Sequence, residues 1–236
     1  MPASGPGRKR WRHAQAHERQ YWQERGDVAA VRARRLPHYE AAFARLASLL
    51  PEQPLVVDVG SGPTCWAQLL PGTKVYVDPL MASYVERWGA ELPEGFPIAA
   101  AGELLPLRSA LADLVFSVNA LDHCADPEAV VRECARLARP GGLVAISVYA
   151  HPRLRALLHR LNEVLTRSRG PHPFAFTRDT VPTLMRRCGL EVIEVLALGA
   201  VSFRTRLHWL KRTEALVVAR RSGGSTAPSP SPSSSP

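Results

Sequence analysis

The 236-residue chain reads as an α/β protein: a doubly wound, mostly parallel seven-stranded sheet with a final antiparallel strand. Three observations predict this. Two short apolar runs, in LVVDVGSGP (Leu55 to Pro63) and KVYVDPL (Lys74 to Leu80), each carry an acidic residue where a parallel strand empties into a loop. Further β-rich segments then alternate with helical ones, as crossover connections require. The chain closes on two consecutive β segments, which suits an antiparallel pairing.

Each element has a local reason. From His13 to Leu50 the pattern is helical, with Tyr39, Phe43, Leu46 and Leu50 on one face, and Pro51 and Pro54 close it. Leu55 to Val59 is the first strand. Pro63, at a first-turn position, predicts a short helix through Leu70, and Pro71-Gly72 turns the chain into the strand Lys74 to Val77. Met81 to Trp88 reads as a helix, Pro97 to Ala100 as a weak strand and Leu114 to Val118 as a strong one. Asp126 caps a helix with Pro127 at its first position and Val130, Val131, Cys134 and Leu137 as its apolar stripe. Pro140-Gly141-Gly142 is expected to end that helix before the strand Leu143 to Val148. Pro152 to Arg167 follows as an amphipathic helix, with Leu154, Leu157, Leu158, Leu161 and Leu165 on one face. Arg169 to Thr177 is an aromatic, proline-rich loop feeding a helix that stops at Cys188-Gly189. The last strands are Leu190 to Leu198 and Glu214 to Arg220.

Composition narrows the class. With 46% apolar residues the chain can fill one core, and a second full domain is not expected. The four cysteines show no paired spacing, so reduced thiols in a cytoplasmic protein are expected. No early apolar stretch resembles a signal peptide, and no run reaches the roughly 18 apolar residues of a spanning helix. The net charge is +9, and through residue 35 nine basic residues stand against three acidic ones. Such a basic arm suits phosphate contacts, so nucleic acid is one candidate partner. The remaining body is only mildly basic, and an arginine-rich composition across a proteome gives the same picture without any partner.

The chemistry concentrates at the strand ends. Gly60 and Gly62 let backbone approach a ligand closely, and Asp58 and Asp78 stand at consecutive strand ends where a nucleoside could be held. Histidines are not spaced as a ligand pair, and no metal site is expected.

The order of motifs resembles the class I S-adenosylmethionine-dependent methyltransferases, specifically their small-molecule, type 11-like branch, over about Leu55 to Val148. The first loop, Asp58-Val59-Gly60-Ser61-Gly62, resembles the family's glycine-rich loop, where glycine backbone lies along the amino-acid part of the cofactor and the Asp orients its ammonium. Asp78, followed by Pro79 and Leu80, resembles the acid that accepts from both ribose hydroxyls, a task for which a carboxylate has the acceptor capacity. GELLPL, Gly102 to Leu107, resembles the segment packing against adenine, DLVFSVN (Asp113 to Asn119) the fourth strand, and RLARPGGLV (Arg136 to Val144) the turn before the fifth. The resemblance thus implies S-adenosyl-L-methionine as cofactor, a Rossmann-like methyltransferase fold, and contacts from Asp58, Gly60, Ser61, Gly62, Asp78, Pro79, Leu80, Gly102, Glu103 and Asn119. Two departures stand out: Thr64 replaces a frequent third glycine, and Ala101 replaces a frequent acid for the adenine amine, leaving Glu103 or backbone to read it.

His123, in the loop LDHCADP after the fourth strand, either serves as a general base or satisfies loop backbone groups. Tyr84 and Trp88 either cover adenine or form a core stripe. His151, His172, Phe174, Phe176, His208 and Trp209 either shape an acceptor pocket or fill the core. The expected activity is methyl transfer to a small-molecule acceptor. The alternatives are a cofactor-binding module docked to nucleic acid or a partner, and an NAD(P)-dependent oxidoreductase, against which Cys65 stands where a third fingerprint glycine belongs. The expected division is a disordered basic arm (1–12), a helical extension (13–54), a methyltransferase domain (55–221) with a lid or substrate segment at about 150–177, and a disordered Ser/Pro tail (222–236).

Overall fold

The computed structural model describes residues 6–152, 174, 176–200 and 213–223. The helix expected over Pro152 to Arg167, most of the loop after it, His172, His208, Trp209 and the residues from 224 onward fall largely or wholly outside the described residues.

The strands are β1 (Leu55–Val59), β2 (Thr73–Asp78), β3 (Phe96–Ala99), β4 (Ala112–Val118), β5 (Ala138–Ala150), β6 (Leu190–Ala200) and β7 (Thr213–Arg221). They form one sheet in the order β3-β2-β1-β4-β5-β7-β6. β1 pairs in parallel with both β2 and β4, and β7 is antiparallel to β5 and β6. The expected doubly wound sheet with its antiparallel strand is therefore present. Strand order reverses between β1 and β4, which opens a crevice beyond their carboxyl ends.

The helices are α1 (Pro6–Arg25), α2 (Val28–Ala47), α3 (Met81–Trp88), α4 (Pro127–Leu137) and α5 (Thr180–Arg187). Strand side chains alternate between two cores. Val56, Leu114, Phe116, Leu216 and Val218 face one side with Tyr39, Phe43 and Leu46 of α2. Val57, Val115, Ile146, Val217 and Ala219 face the other with Val131, Cys134 and Leu137 of α4. Both faces are covered, so these strands read as continuous apolar runs rather than alternating ones. Asp126 caps α4 as expected, accepting from the N–H groups of Glu128 (3.0 Å) and Ala129 (3.1 Å).

Four expectations need correction. The first helix begins at Pro6, inside the stretch expected to be disordered. The single helix expected from His13 is two, because Gly26 adopts φ +60° and Asp27 then caps α2 by accepting from the Ala30 N–H at 2.8 Å. Pro63 does not open an α-helix: Cys65 is left-handed (φ +46°) and only a 3-10 turn, Trp66–Leu69, follows. Pro140-Gly141-Gly142 lies within β5, where the register against β4 shifts between Ala112 and Leu114 and Gly141 takes φ +77°. No helix among the described residues is long and apolar enough to cross a membrane.

Candidate active site

The crevice at the β1–β4 reversal is a cleft of about 320 Å³. Its floor is the loop after β1. Gly60 (φ +71°) and Gly62 (φ +53°) both need the left-handed region that glycine enters without cost. At Gly60 a side chain would also collide with Ala120, whose Cβ would lie 2.2 Å from the added carbon, whereas nothing lies within 4 Å of one added at Gly62. The two glycines thus differ: one admits the neighbouring loop, the other leaves open space beside the cleft.

The loop's N–H groups turn back to β2. Gly60 and Ser61 donate to the Val77 carbonyl (2.7 and 3.2 Å), and Gly62 donates to Asp78 Oδ2 at 3.0 Å. Leu80 N–H donates to Asp78 Oδ1 at 2.8 Å. Each Asp78 oxygen therefore accepts one backbone bond and keeps a second lone-pair site for a ligand hydroxyl. Burial pushes the Asp78 carboxyl up to about 6, against the two N–H groups that favour its ionised form and with a further push from Glu18. The N–H groups that follow the loop are spent locally: Cys65 donates to the Ser61 carbonyl and Ala67 to Asp58 Oδ2 at 3.1 Å.

Asp58 does not border the cleft. It is 1% exposed, one layer below the loop, and burial pushes its carboxyl up to about 7. It braces the turn from beneath. Gly60, Ser61, Gly62, Asp78, Pro79, Leu80, Gly102, Glu103, Asn119 and His123, in contrast, all come together around the cleft. Gly102 sits tightly, since a Cβ there would lie 3.1 Å from Val59 and 3.3 Å from Val130. Glu103 Oε1 accepts from the Ala125 N–H (2.6 Å), which ties the segment at Gly102 and Glu103 to the loop after β4. Tyr84 borders the cleft, while Trp88 is buried and donates to the Gly26 carbonyl at 3.0 Å, locking α3 to the α1–α2 junction. Phe176 belongs to the core on the α4 side.

Asn119 borders the cleft, and its side-chain nitrogen is engaged behind it. Its amide donates to Glu214 Oε1 (2.7 Å) and to the Tyr39 hydroxyl (3.0 Å). Glu214 is fully buried on β7 and also accepts from Ser147 (3.0 Å) and pairs with His38 Nε2 (2.8 Å). This carboxylate joins α2 to β4, β5 and β7 directly behind the cleft. The phenol of Tyr149, at the cleft edge, also interacts with Glu214 and Tyr39, and burial pushes it up to about 12.

Helix α1 supplies a wall that sequence reasoning did not anticipate, with Trp11, Glu18, Tyr21 and Trp22 all bordering the cleft. Glu18 Oε1 lies 3.5 Å from His123 Nδ1, and Asp122 Oδ1 lies 3.7 Å from His123 Nε2. Carboxylates flank both ring nitrogens and would compensate a positive charge on the ring. The signal for α1 was present in its Trp and Tyr residues, but a 20-residue helix with so few apolar positions shows no clean stripe. Among the described residues no cluster could hold a metal ion.

The cleft fits a nucleoside with a charged tail: two acceptor sites on one buried acid, open glycine backbone and flanking aromatic rings. Residues 57–146 match the family model for a methyltransferase domain. Among solved structures, the chain is similar to the methyltransferase bound to the Trm112 methyltransferase activator in a Haloferax volcanii complex. That match has a TM-score of 0.65 and 18% identity, and covers 86% of this chain and 96% of that one. It is also similar to Burkholderia thailandensis 1,6-didemethyltoxoflavin-N1-methyltransferase, seen with 1,6-didemethyltoxoflavin and S-adenosylhomocysteine (TM-score 0.61, 17% identity, 94% of this chain, 92% of that one). The [4+2]-cyclase SpnF shares the fold as well (TM-score 0.53, 15% identity, 76% of this chain, 81% of that one), so the fold alone does not name a reaction. It is the family match over β1 to β5 that does: residues 57–146 carry a methyltransferase domain, and its cofactor is S-adenosylmethionine.

Proposed function

We propose that the acceptor is a small molecule held between α1 and the loop after β4. The observation that carries this reading is the α1 wall: Trp11, Glu18, Tyr21 and Trp22 stand around the same cleft as Gly60 and Asp78. The Burkholderia relative that acts on 1,6-didemethyltoxoflavin supports the same class of acceptor.

The residue roles follow from position. Asp78 accepts from the ribose hydroxyls through the lone-pair sites its backbone bonds leave free. Gly60, Ser61 and Gly62 lie under the aminoacyl chain, Asp58 bracing their turn from below. Pro79, Leu80, Gly102 and Glu103 flank the adenine side. Asn119 contacts the cofactor through its backbone or its side-chain oxygen, its side-chain nitrogen being committed to Glu214 and Tyr39. Bound S-adenosylmethionine supplies a methyl group activated by its sulfonium. The protein's own tasks are to align the acceptor and exclude water, which can supply much of the acceleration. His123 takes the acceptor's proton where the nucleophile carries one, with Glu18 and Asp122 offsetting the resulting charge.

The test is transfer of labelled methyl from S-adenosylmethionine into cell extract separated by ultrafiltration. Label in the small-molecule fraction supports the reading, and label confined to nucleic acid or protein overturns it. With the acceptor so found, His123→Ala lowers kcat by about 10²- to 10⁴-fold if the imidazole is the base. An unchanged kcat removes that role.

A further inference from the structure

The charges around the cleft are lopsided. Among the described residues, Glu18, Asp78, Glu103 and Asp122 border it, and Arg35 is the single arginine or lysine that does. Several arginines near the sheet have carboxylate partners, Arg45 with Glu194, Arg136 with Glu133 and Arg139 with Asp113, and Arg220 and Arg221 of β7 donate to backbone carbonyls. Arg35 has no ion pair with any described residue. It acts electrostatically on the phenols of Tyr39 and Tyr149, which also interact with Glu214. Burial keeps both phenols protonated at neutral pH, so neither neutralises the guanidinium.

Placement adds the second half of the argument. Asp78 ends β2, and Tyr149 lies near the end of β5, with β1 and β4 between them. Three interstrand steps separate those ends, about 14 Å. A ligand whose ribose sits at Asp78 and whose chain runs over Gly60 and Gly62 extends toward Arg35. Arg35 is also held in place: one turn along α2, Tyr39 and His38 are tied to Glu214, and Tyr39 stacks on Phe43 at 5.3 Å. A guanidinium on an anchored helix loses less freedom on binding than one on a loop.

We infer that Arg35 binds the carboxylate at the aminoacyl end of the cofactor, which makes α2, outside the segment matched to the family, part of the cofactor site. The inference rests on the cofactor lying over Gly60–Gly62 with its ribose at Asp78. The acidic residues around the rest of the cleft suit the sulfonium and ammonium, and the one cation among the described lining residues suits the one anionic group.

Calorimetric titration of the full-length protein with S-adenosylhomocysteine and with 5′-methylthioadenosine, which lacks the aminoacyl end, tests it. Arg35→Met weakens S-adenosylhomocysteine by about 10- to 100-fold, the range for a lost charge-assisted bond, and leaves 5′-methylthioadenosine unchanged. Arg35→Lys falls between, since ammonium keeps the charge without the fork. Arg34→Met, at the exposed neighbour, changes neither ligand. An Arg35→Met protein that binds S-adenosylhomocysteine as tightly as the unmodified one overturns the inference, and so does equal weakening of both ligands, which marks a structural role. If the unmodified protein binds neither ligand, the assignment of the cleft fails first and takes the inference with it.

Discussion

Replacing Glu214 by Leu tests whether the buried carboxylate is what fastens the N-terminal helices to the sheet. Its side chain has no solvent exposure. It accepts from Asn119 at 2.7 Å, Ser147 at 3.0 Å and Tyr39 at 3.2 Å, and pairs with His38 at 2.8 Å. Leucine leaves the Asn119, Ser147 and Tyr39 donors buried without that partner. Each stranded donor costs about 1–3 kcal/mol, and three sharing one acceptor do not add fully, so a total of roughly 3–6 kcal/mol is expected. That is a large share of the ~5–15 kcal/mol by which domains are stable. In a chain of this size it corresponds to a Tm lower by about 10–20 °C in a thermal melt. Glu214→Gln keeps one acceptor oxygen and loses about 1–2 kcal/mol. A Glu214→Leu protein that melts with the wild type refutes the reasoning, because it means the surrounding donors find equivalent partners without the carboxylate.

Two further predictions come from the floor of the cleft. The raised Asp58 and Asp78 carboxyls bind protons more tightly folded than unfolded, so ligand-free stability falls as pH rises from about 4 to about 7 and is level above that. Cofactor affinity runs the other way, rising as pH passes through about 6, because an ionised Asp78 accepts both hydroxyls. Titrations with S-adenosylhomocysteine at pH 5 and pH 8, repeated on Asp78→Asn, check this; a pH dependence that survives the substitution assigns it to another group. Gly60→Ala meets both a left-handed backbone and Ala120 at 2.2 Å, whereas Gly62→Ala meets the backbone cost alone, about 1–2 kcal/mol. Thermal melts should rank Gly60→Ala well below Gly62→Ala, and the reverse order would contradict the packing described.

How much of this was legible in the sequence depended on how local the cause was. The strands were readable because Val56/Val57, Leu114/Val115 and Leu216/Val217 each place one side chain on either face of a sheet buried on both sides. Asp126-Pro127 was readable because a cap and its first-turn proline act within one helical turn. The break at Gly26-Asp27 carried an equally local signal, a glycine followed by a capping Asp, which the helical periodicity on either side masked. Pro63 misled because a proline is compatible with a helix start without requiring one, and Cys65 is held left-handed by the loop's bonds to Asp58 and Asp78. The cleft-facing role of Asp78 could be read from its strand end. The contributions of Glu18, Arg35, Tyr149 and Glu214 could not, since they depend on partners far along the chain, His38 and Glu214 being 176 positions apart.

The most direct test of the central claim, that the cleft over Gly60–Gly62 and Asp78 is the cofactor site, is calorimetric titration with S-adenosylmethionine and S-adenosylhomocysteine. It should be run on the wild type and on Asp78→Asn at pH 8. The account predicts saturable binding of both ligands, weakened about 10- to 100-fold by the substitution as a hydroxyl acceptor is lost. Equal affinity in the two proteins, or no binding to the wild type, would contradict it.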